Sequence, residues 1–93
     1  MMNHNTIKKL QKKWGFAELQ ELINTGMAWK LEGSVGREAM SALNCGACML
    51  PKKDYYDYFG NLVPSRDKLK PGTKGTYQNS KNYWNRVVER GYI

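Results

Sequence analysis

Residues 45–64 read CGACMLPKKDYYDYFGNLVP, and the fold class depends on this stretch because the chain changes here from a helical to a strand pattern. The aromatic-rich run 54–59 is typical of a strand, since large aromatic side chains suit a pleated, half-buried surface. Residues 60–61 are a glycine–asparagine turn dipeptide of the hairpin type. Residues 62–63 supply the return strand, and Pro64 ends it or marks an edge, because proline has no N–H to donate. The stretch therefore predicts a short β-hairpin.

Upstream of this stretch, apolar residues recur at helical spacing. Three helices are predicted, over residues 6–14, 16–25 and 34–45. Gly15 and Gly26 are expected to end the first two helices, because glycine readily adopts the left-handed conformation that often follows a helix. The expected N-caps are Asn5 or Thr6 for the first helix and Ser34 for the third.

Downstream, residues 64–80 contain two prolines, two glycines and many polar groups, so they are predicted to be irregular. Long irregular segments in a compact domain are usually functional or mobile. Ser80 is expected to cap a last helix that carries Trp84 on its apolar face. We therefore predict one α+β domain over residues 1–93, with N-terminal helices, a short hairpin and a C-terminal helix. Residues 1–5 and 64–80 are its irregular or flexible parts.

The charge balance favours an anionic partner. The chain has fifteen Lys and Arg against eight Asp and Glu, a net charge of +7. Such an excess favours nucleic acid, nucleotides, phosphorylated metabolites or an acidic protein face. An alternative is that the charge only keeps a small protein soluble.

The sequence also indicates the cellular location to be expected. No apolar run approaches the ~20 residues that a membrane helix needs, and residues 1–14 have no apolar segment of the kind found in secretory signals. A cytoplasmic location with reduced thiols is therefore expected. The core is small, so formation of a homo-oligomer would be a natural way to bury more surface.

Two glycine-rich basic segments are candidates for binding a phosphate. Residues 33–37 (GSVGR) begin a predicted helix, where free N–H groups, the helix dipole and an arginine attract anions. Residues 64–75 contain backbone N–H groups that can form a phosphate nest, and an arginine that can bind an oxyanion through two hydrogen bonds. If the two segments met, they would clamp a ligand with two phosphates. The candidate ligand-binding residues are Ser34, Gly36, Arg37, Arg66, Lys70, Thr73 and Lys74, and both arginines are expected at the surface. The alternatives are a capped helix and a solvated turn.

The first helix offers a different anionic site. Its outer face carries four lysines, Lys8, Lys9, Lys12 and Lys13, which can contact nucleic acid or can simply be solvated. The aromatic run 54–59 lies beside two further lysines and can stack bases or pack as cross-strand pairs.

The CxxC motif at Cys45 and Cys48 does not predict a metal centre. A zinc site normally has four ligands, and the only histidine, His4, is near the N-terminus. Two chains sharing one zinc remain an alternative, but we expect two buried structural cysteines, no metal and no cofactor. No serine, histidine and aspartate are placed for catalysis, so we predict a binding protein and not an enzyme.

Four segments together resemble a family of small uncharacterised proteins encoded by tailed bacteriophages: LEGSVGREAM (31–40), CML (48–50), YFGNLVPSR (58–66) and KPGTKG (70–75). The resemblance covers roughly residues 16–76. It implies a phage or prophage origin and supplies no activity, cofactor or catalytic residue. Small phage proteins of this size commonly bind host enzymes, defence proteins or their nucleotide signals, or DNA.

Two functions are therefore expected from the sequence. The first is recognition of a phosphate-bearing anionic ligand, a nucleotide signal or nucleic acid, in a role that can include countering host defence. The second is a protein–protein interaction module that docks on a host or phage protein.

Overall fold

The computed structural model describes residues 2–30, 34–57 and 59–91. Within these ranges it contains four α-helices, one two-stranded hairpin and two short 3-10 helices, which confirms the predicted α+β class. None of these helices is long and apolar enough to cross a membrane. The α-helices are α1 (His4–Trp14), α2 (Ala17–Asn24), α3 (Ser34–Cys45) and α4 (Tyr77–Glu89), the strands are β1 (Tyr55–Tyr56) and β2 (Leu62–Val63), and the 3-10 helices are Met27–Trp29 and Arg66–Lys68.

The N-caps of α1 and α4 differ from the predicted ones. Asn3 caps α1, since its Oδ1 accepts a hydrogen bond from Thr6 N at 2.9 Å. Thr76 caps α4 by accepting from Asn79 N at 3.2 Å, whereas Ser80 lies fully buried inside that helix. Several residues of the capping type stand close together at both helix starts, so the sequence pattern alone does not distinguish them.

The predicted glycine turns are confirmed. Gly15 follows α1 with a φ of 84°, and Gly26 follows α2 with a φ of 80°. Gly26 has a second role, because a Cβ at this position would lie 2.5 Å from the Tyr55 ring. The Tyr55 hydroxyl also donates to Asn24 O at 3.1 Å. The first strand of the hairpin is therefore packed on the C-terminal end of α2.

The hairpin is shorter than predicted. Its strands pair antiparallel, with Tyr55 opposite Val63 and Tyr56 opposite Leu62. The strand stops at Tyr56 because Asp57 Oδ1 accepts hydrogen bonds from the N–H groups of residues 59 and 61, which bends the chain into the turn. Tyr58 lies outside the described residues.

The core includes a buried segment without regular structure. Residues 47–51 are all buried, and they run between the helices with their backbone polar groups away from water. Trp84 is 1% exposed and donates through Nε1 to Ala47 O at 3.2 Å. At the other end Leu50 N donates to Gly75 O at 2.8 Å. The apolar core around this segment includes Ile7, Leu10, Ile23, Ala28, Ala39, Ala42, Leu43 and Val63.

We expect Gly26→Ala to destabilise the protein more than Gly15→Ala. Both glycines follow a helix with nearly the same φ, so both substitutions carry the left-handed backbone cost of about 1–2 kcal/mol. Only at Gly26 does the new methyl group overlap a side chain, the Tyr55 ring. Overpacking should add about 1–3 kcal/mol, measured as the difference between the two free energies of unfolding in urea. If the two variants lost the same free energy of unfolding, the packing of Tyr55 on the end of α2 would be contradicted.

Candidate anion-binding site

The side chain of Arg66 is buried, and the prediction that it lies at the surface is wrong. The residue is 6% exposed. Its backbone N–H donates to Pro51 O at 2.9 Å, and its Nε donates to Leu50 O at 2.6 Å. The 3-10 turn at Arg66–Lys68 thus holds the arginine against the buried segment 47–51. The sequence predicted an irregular segment with Arg66 at the surface, because nothing within residues 64–75 indicates this distant contact.

The Arg66 guanidinium has neutral partners. Besides Leu50 O, it donates through Nη2 to Asn24 Oδ1 at 3.0 Å and through Nη1 to the sulfur of Met49 at 3.5 Å. No carboxylate of the described residues forms an ion pair with it, and the ion pair found in those ranges joins Lys68 to Asp54. Burial lowers the pKa of Arg66, and the nearby charge of Asp67 acts in the opposite direction. A buried charge that forms no ion pair is costly, so this group favours the approach of an anion.

A relay of side-chain amides fixes the position of Arg66. Asn24 Oδ1, which accepts from Arg66, also accepts from Gln20 Nε2 at 2.9 Å. Gln20 bonds both backbone groups of Met49, with its Oε1 accepting from N at 2.8 Å and its Nε2 donating to O at 3.0 Å. Gln11 completes the relay by donating to Gln20 Oε1 and to Ala47 O, each at 2.9 Å. Because the three amides are bonded to one another and to segment 47–51, the orientation of the guanidinium is set before any ligand arrives.

Arg66 opens into a cavity of about 560 Å³ between α1, α2 and the chain around residues 49–67. Three cations line this Arg66 cavity: Arg66 itself, Lys8 and Lys52. Two carboxylates, Glu21 and Asp67, lie on its wall. The remaining lining residues are His4, Asn5, Gln11, Gln20, Asn24 and Met49.

The electrostatic balance in the cavity is positive. The pKa of His4 is lowered by burial first and then by the charges of Arg66, Lys52 and Lys8, while Asp67 acts in the opposite direction. The α1 N-terminus adds to this, since His4 and Asn5 are its first two residues and their N–H groups precede the first hydrogen bonds of the helix. The helix dipole places partial positive charge at the same end. An anion in the cavity would therefore lie near three cations and the positive end of α1.

The cavity does not include the other predicted anion-binding residues. Ser34, Gly36 and Arg37 stand at the start of α3, and Gly33 lies outside the described residues. The α3 helix packs on α2 and on the Met27–Trp29 turn, whereas Arg66 is held by Asn24 and segment 47–51. A clamp formed by residues 33–37 and 64–75 is not built around this cavity, and anion binding by Arg37 stays a prediction.

The turn at residues 70–75 uses backbone donors for itself. Gly72 N donates to Thr76 Oγ1 at 3.2 Å and Thr73 N donates to Lys70 O at 3.0 Å. Two N–H groups of the predicted phosphate nest are therefore already bonded. Lys70, Thr73 and Lys74 are exposed, in keeping with the alternative of a solvated turn.

The lysines of α1 do not form one continuous binding face: three of them line two separate cavities, and Lys12 lines neither of the two. Lys8 lines the Arg66 cavity. Lys9 and Lys13 line a separate groove of about 420 Å³ between α1 and α4, which is largely apolar and includes Leu10 and Val88. Adjacent residues of a helix are about 100° apart around its axis, so two neighbouring lysines serve two different surfaces.

The cysteines separate into one buried and one exposed thiol. Cys48 is fully buried, as expected, but Cys45 is exposed, which corrects the prediction that both are buried. Burial raises the pKa of the Cys48 thiol to about 12, and Cys45 acts in the same direction. Among the residues whose placement is described, no three histidines, cysteines or carboxylates are grouped to hold a metal ion.

Comparison with models of known protein families, with curated proteins and with solved structures finds no match. The site therefore rests on its own geometry. The resemblance to phage proteins stays a prediction.

Most of the residues that line the cavity were not predicted as binding residues, although two of them carry a signal in the sequence. Gln11 and Gln20 stand on the apolar stripes of their helices, four residues after Ile7 and three before Ile23 respectively. A polar residue on a core-facing stripe must find a partner there. Both amides are buried and bonded to segment 47–51, and both line the cavity.

We expect Gln20→Leu to destabilise the protein by at least about 2 kcal/mol. It would leave both backbone groups of Met49 without their partner, and each orphaned buried polar group costs about 1–3 kcal/mol. Gln78→Leu is the matched control, because Gln78 is exposed and bonds only Asn82 in the same helix. Urea unfolding should place the control within about 0.5 kcal/mol of the parent protein. Similar losses for the two variants would contradict the role given to Gln20.

Proposed function

We propose that this chain is a small binding protein that holds a phosphate-bearing anionic ligand in the Arg66 cavity. The observation that carries the proposal is the buried Arg66 guanidinium, which has neutral partners on one side and opens on the other into a cavity shared with Lys8 and Lys52. Guanidinium and ammonium groups that line one cavity can together bind the several oxygens of a phosphate. Preorganisation by the amide relay removes part of the cost of ordering the site on binding.

The size of the cavity favours a compact ligand over a polymer. Small-molecule sites usually occupy about 300–1,000 Å³, and the volume of about 560 Å³ falls in this range. Of the two anionic partners expected from the sequence, a nucleotide-like ligand is therefore better supported than nucleic acid. If the chain is of phage origin, as its resemblance implies, a nucleotide signal of the host would be a ligand of this kind, and its capture would counter the defence that uses it.

The second candidate function is docking on another protein. Three apolar residues of the hairpin are strongly exposed: Tyr56 at 63%, Phe59 at 84% and Leu62 at 50%. Exposed apolar patches often mark interaction surfaces. The patch is separate from the Arg66 cavity, since none of these residues lines it.

Inorganic pyrophosphate provides a direct probe of the proposed site. Lys8→Ala and Lys52→Ala should each weaken pyrophosphate binding about 2- to 5-fold, because a half-exposed ion pair contributes about 0.5–1 kcal/mol. The double variant should lose about tenfold. Lys9→Ala and Lys53→Ala are matched controls, since each removes the neighbouring lysine, which does not line the cavity. Dissociation constants from calorimetry or NMR titration at low salt would measure the effect.

Other outcomes would favour the rival functions. A nucleic-acid face on α1 would be favoured if Lys8→Ala and Lys9→Ala weakened binding equally. In that case the affinity for short DNA should fall with salt concentration, with a log–log slope of about −0.9 per phosphate neutralised. A loss at Arg37→Ala with none at Lys8 or Lys52 would favour the clamp predicted from the sequence. An absence of pyrophosphate binding, together with a protein complex lost on Leu62→Ser, would favour the interaction module.

A further inference from the structure

An aromatic pair stands at the rim of the Arg66 cavity. The His4 imidazole is stacked on the Tyr77 ring, with ring centroids 4.1 Å apart and an interplanar angle of 24°. His4 is the first residue of α1 and Tyr77 the first residue of α4, so the two rings meet where two helices begin. Tyr77 covers one face of the imidazole and fixes its plane.

The other side of the imidazole is open. His4 is exposed although one of its faces is covered, and it lines the Arg66 cavity. The cations in the cavity are close enough to act on His4, since Arg66, Lys52 and Lys8 each lower its pKa. A flat ring surface therefore lies beside a group of three cations within one cavity. Flat aromatic surfaces accept any base, because every base has a π-face.

A second feature of the cavity concerns hydrogen bonding. Gln11 is 2% exposed and lines the cavity. Its two N–H donors are used for Gln20 Oε1 and Ala47 O, and no group in the described ranges donates to its Oε1. Ser80 Oγ, and not Gln11 Oε1, is the fully buried side-chain atom without a partner in these ranges. The Gln11 oxygen is therefore open to solvent and can accept a hydrogen bond from an amino or hydroxyl group of a ligand.

We propose that the ligand of the Arg66 cavity is a nucleoside phosphate, whose base stacks on the open face of His4 while its phosphate lies against Arg66, Lys8 and Lys52. The inference rests on the proposed function and adds the rest of the ligand to the phosphate. A base supplies the ring, and its amino group or the ribose hydroxyls can donate to Gln11 Oε1. Inorganic phosphates satisfy the cations but leave the ring and the acceptor without partners.

The test compares three ligands that share a phosphate group. Adenosine 5′-monophosphate carries phosphate, ribose and base, ribose 5-phosphate lacks the base, and pyrophosphate lacks both. The nucleotide should bind about 5- to 150-fold more tightly than ribose 5-phosphate, which is the range of base–aromatic stacking. NMR should detect contacts between base protons and the His4 ring.

Variants at position 4 separate stacking from a merely structural role. His4→Ala should remove the preference for the nucleotide and leave the affinity for ribose 5-phosphate and pyrophosphate within about twofold. His4→Phe should restore the preference, because phenylalanine keeps a flat ring without a titratable nitrogen. Circular dichroism would establish that α1 remains folded in both variants.

The failures are distinguishable. If pyrophosphate binds through Lys8 and Lys52 but the nucleotide binds no more tightly than ribose 5-phosphate, the nucleoside inference is wrong and the proposed function stands. If His4→Ala weakens all three ligands equally and His4→Phe does not rescue, His4 acts on the phosphate and the stacking is wrong. If no ligand binds, the proposed function itself is overturned.

Discussion

Segment 47–51 imposes the main constraint on this structure, because it is buried without belonging to a helix or strand. Backbone N–H and C=O groups in such a segment need partners from elsewhere. Gln11 and Trp84 bond the carbonyl of Ala47, and Gln20 bonds both backbone groups of Met49. Gly75 O accepts from Leu50 N, and Arg66 donates to the carbonyls of both Leu50 and Pro51. This short irregular segment thus connects four elements through hydrogen bonds: α1, α2, α4 and the 3-10 helix Arg66–Lys68.

The candidate site follows from this constraint. Side chains that satisfy the buried segment must themselves be polar, and several retain unused polar groups on the side away from it. Arg66 is the clearest case, since its Nε is bound to Leu50 while the guanidinium lines a cavity with Lys8 and Lys52. Gln11 is similar, because both of its N–H groups are used and its carbonyl oxygen accepts no hydrogen bond from the described residues. A structural network therefore presents a preorganised polar surface, which is the condition for selective binding of a small anion.

The helices were predictable because their signals are local. Apolar spacing located all four, and Gly15 and Gly26 indicated ends that the structure confirms within one or two residues. The caps at Asn3 and Thr76 were missed, since neighbouring polar residues offer the same chemistry. The hairpin was found but its first strand was predicted too long, because the aromatic content of residues 54–59 favours a strand whereas Asp57 bonds the turn. The exposure of Cys45 was also missed.

The sequence by itself determined the α+β class, the order of the elements, the excess of positive charge and the presence of Arg66 among the candidate anion ligands. These properties depend on composition and on contacts between residues less than about one helical turn or one hairpin apart. Only the tertiary structure decided that Arg66 is buried, that it meets Lys8 and Lys52 and not Arg37, and that His4 stacks on Tyr77. Each of those outcomes joins residues more than ten positions apart, and no local pattern specifies such contacts. The burial of Arg66 in particular depends on the carbonyls of the buried segment 47–51, to which it donates.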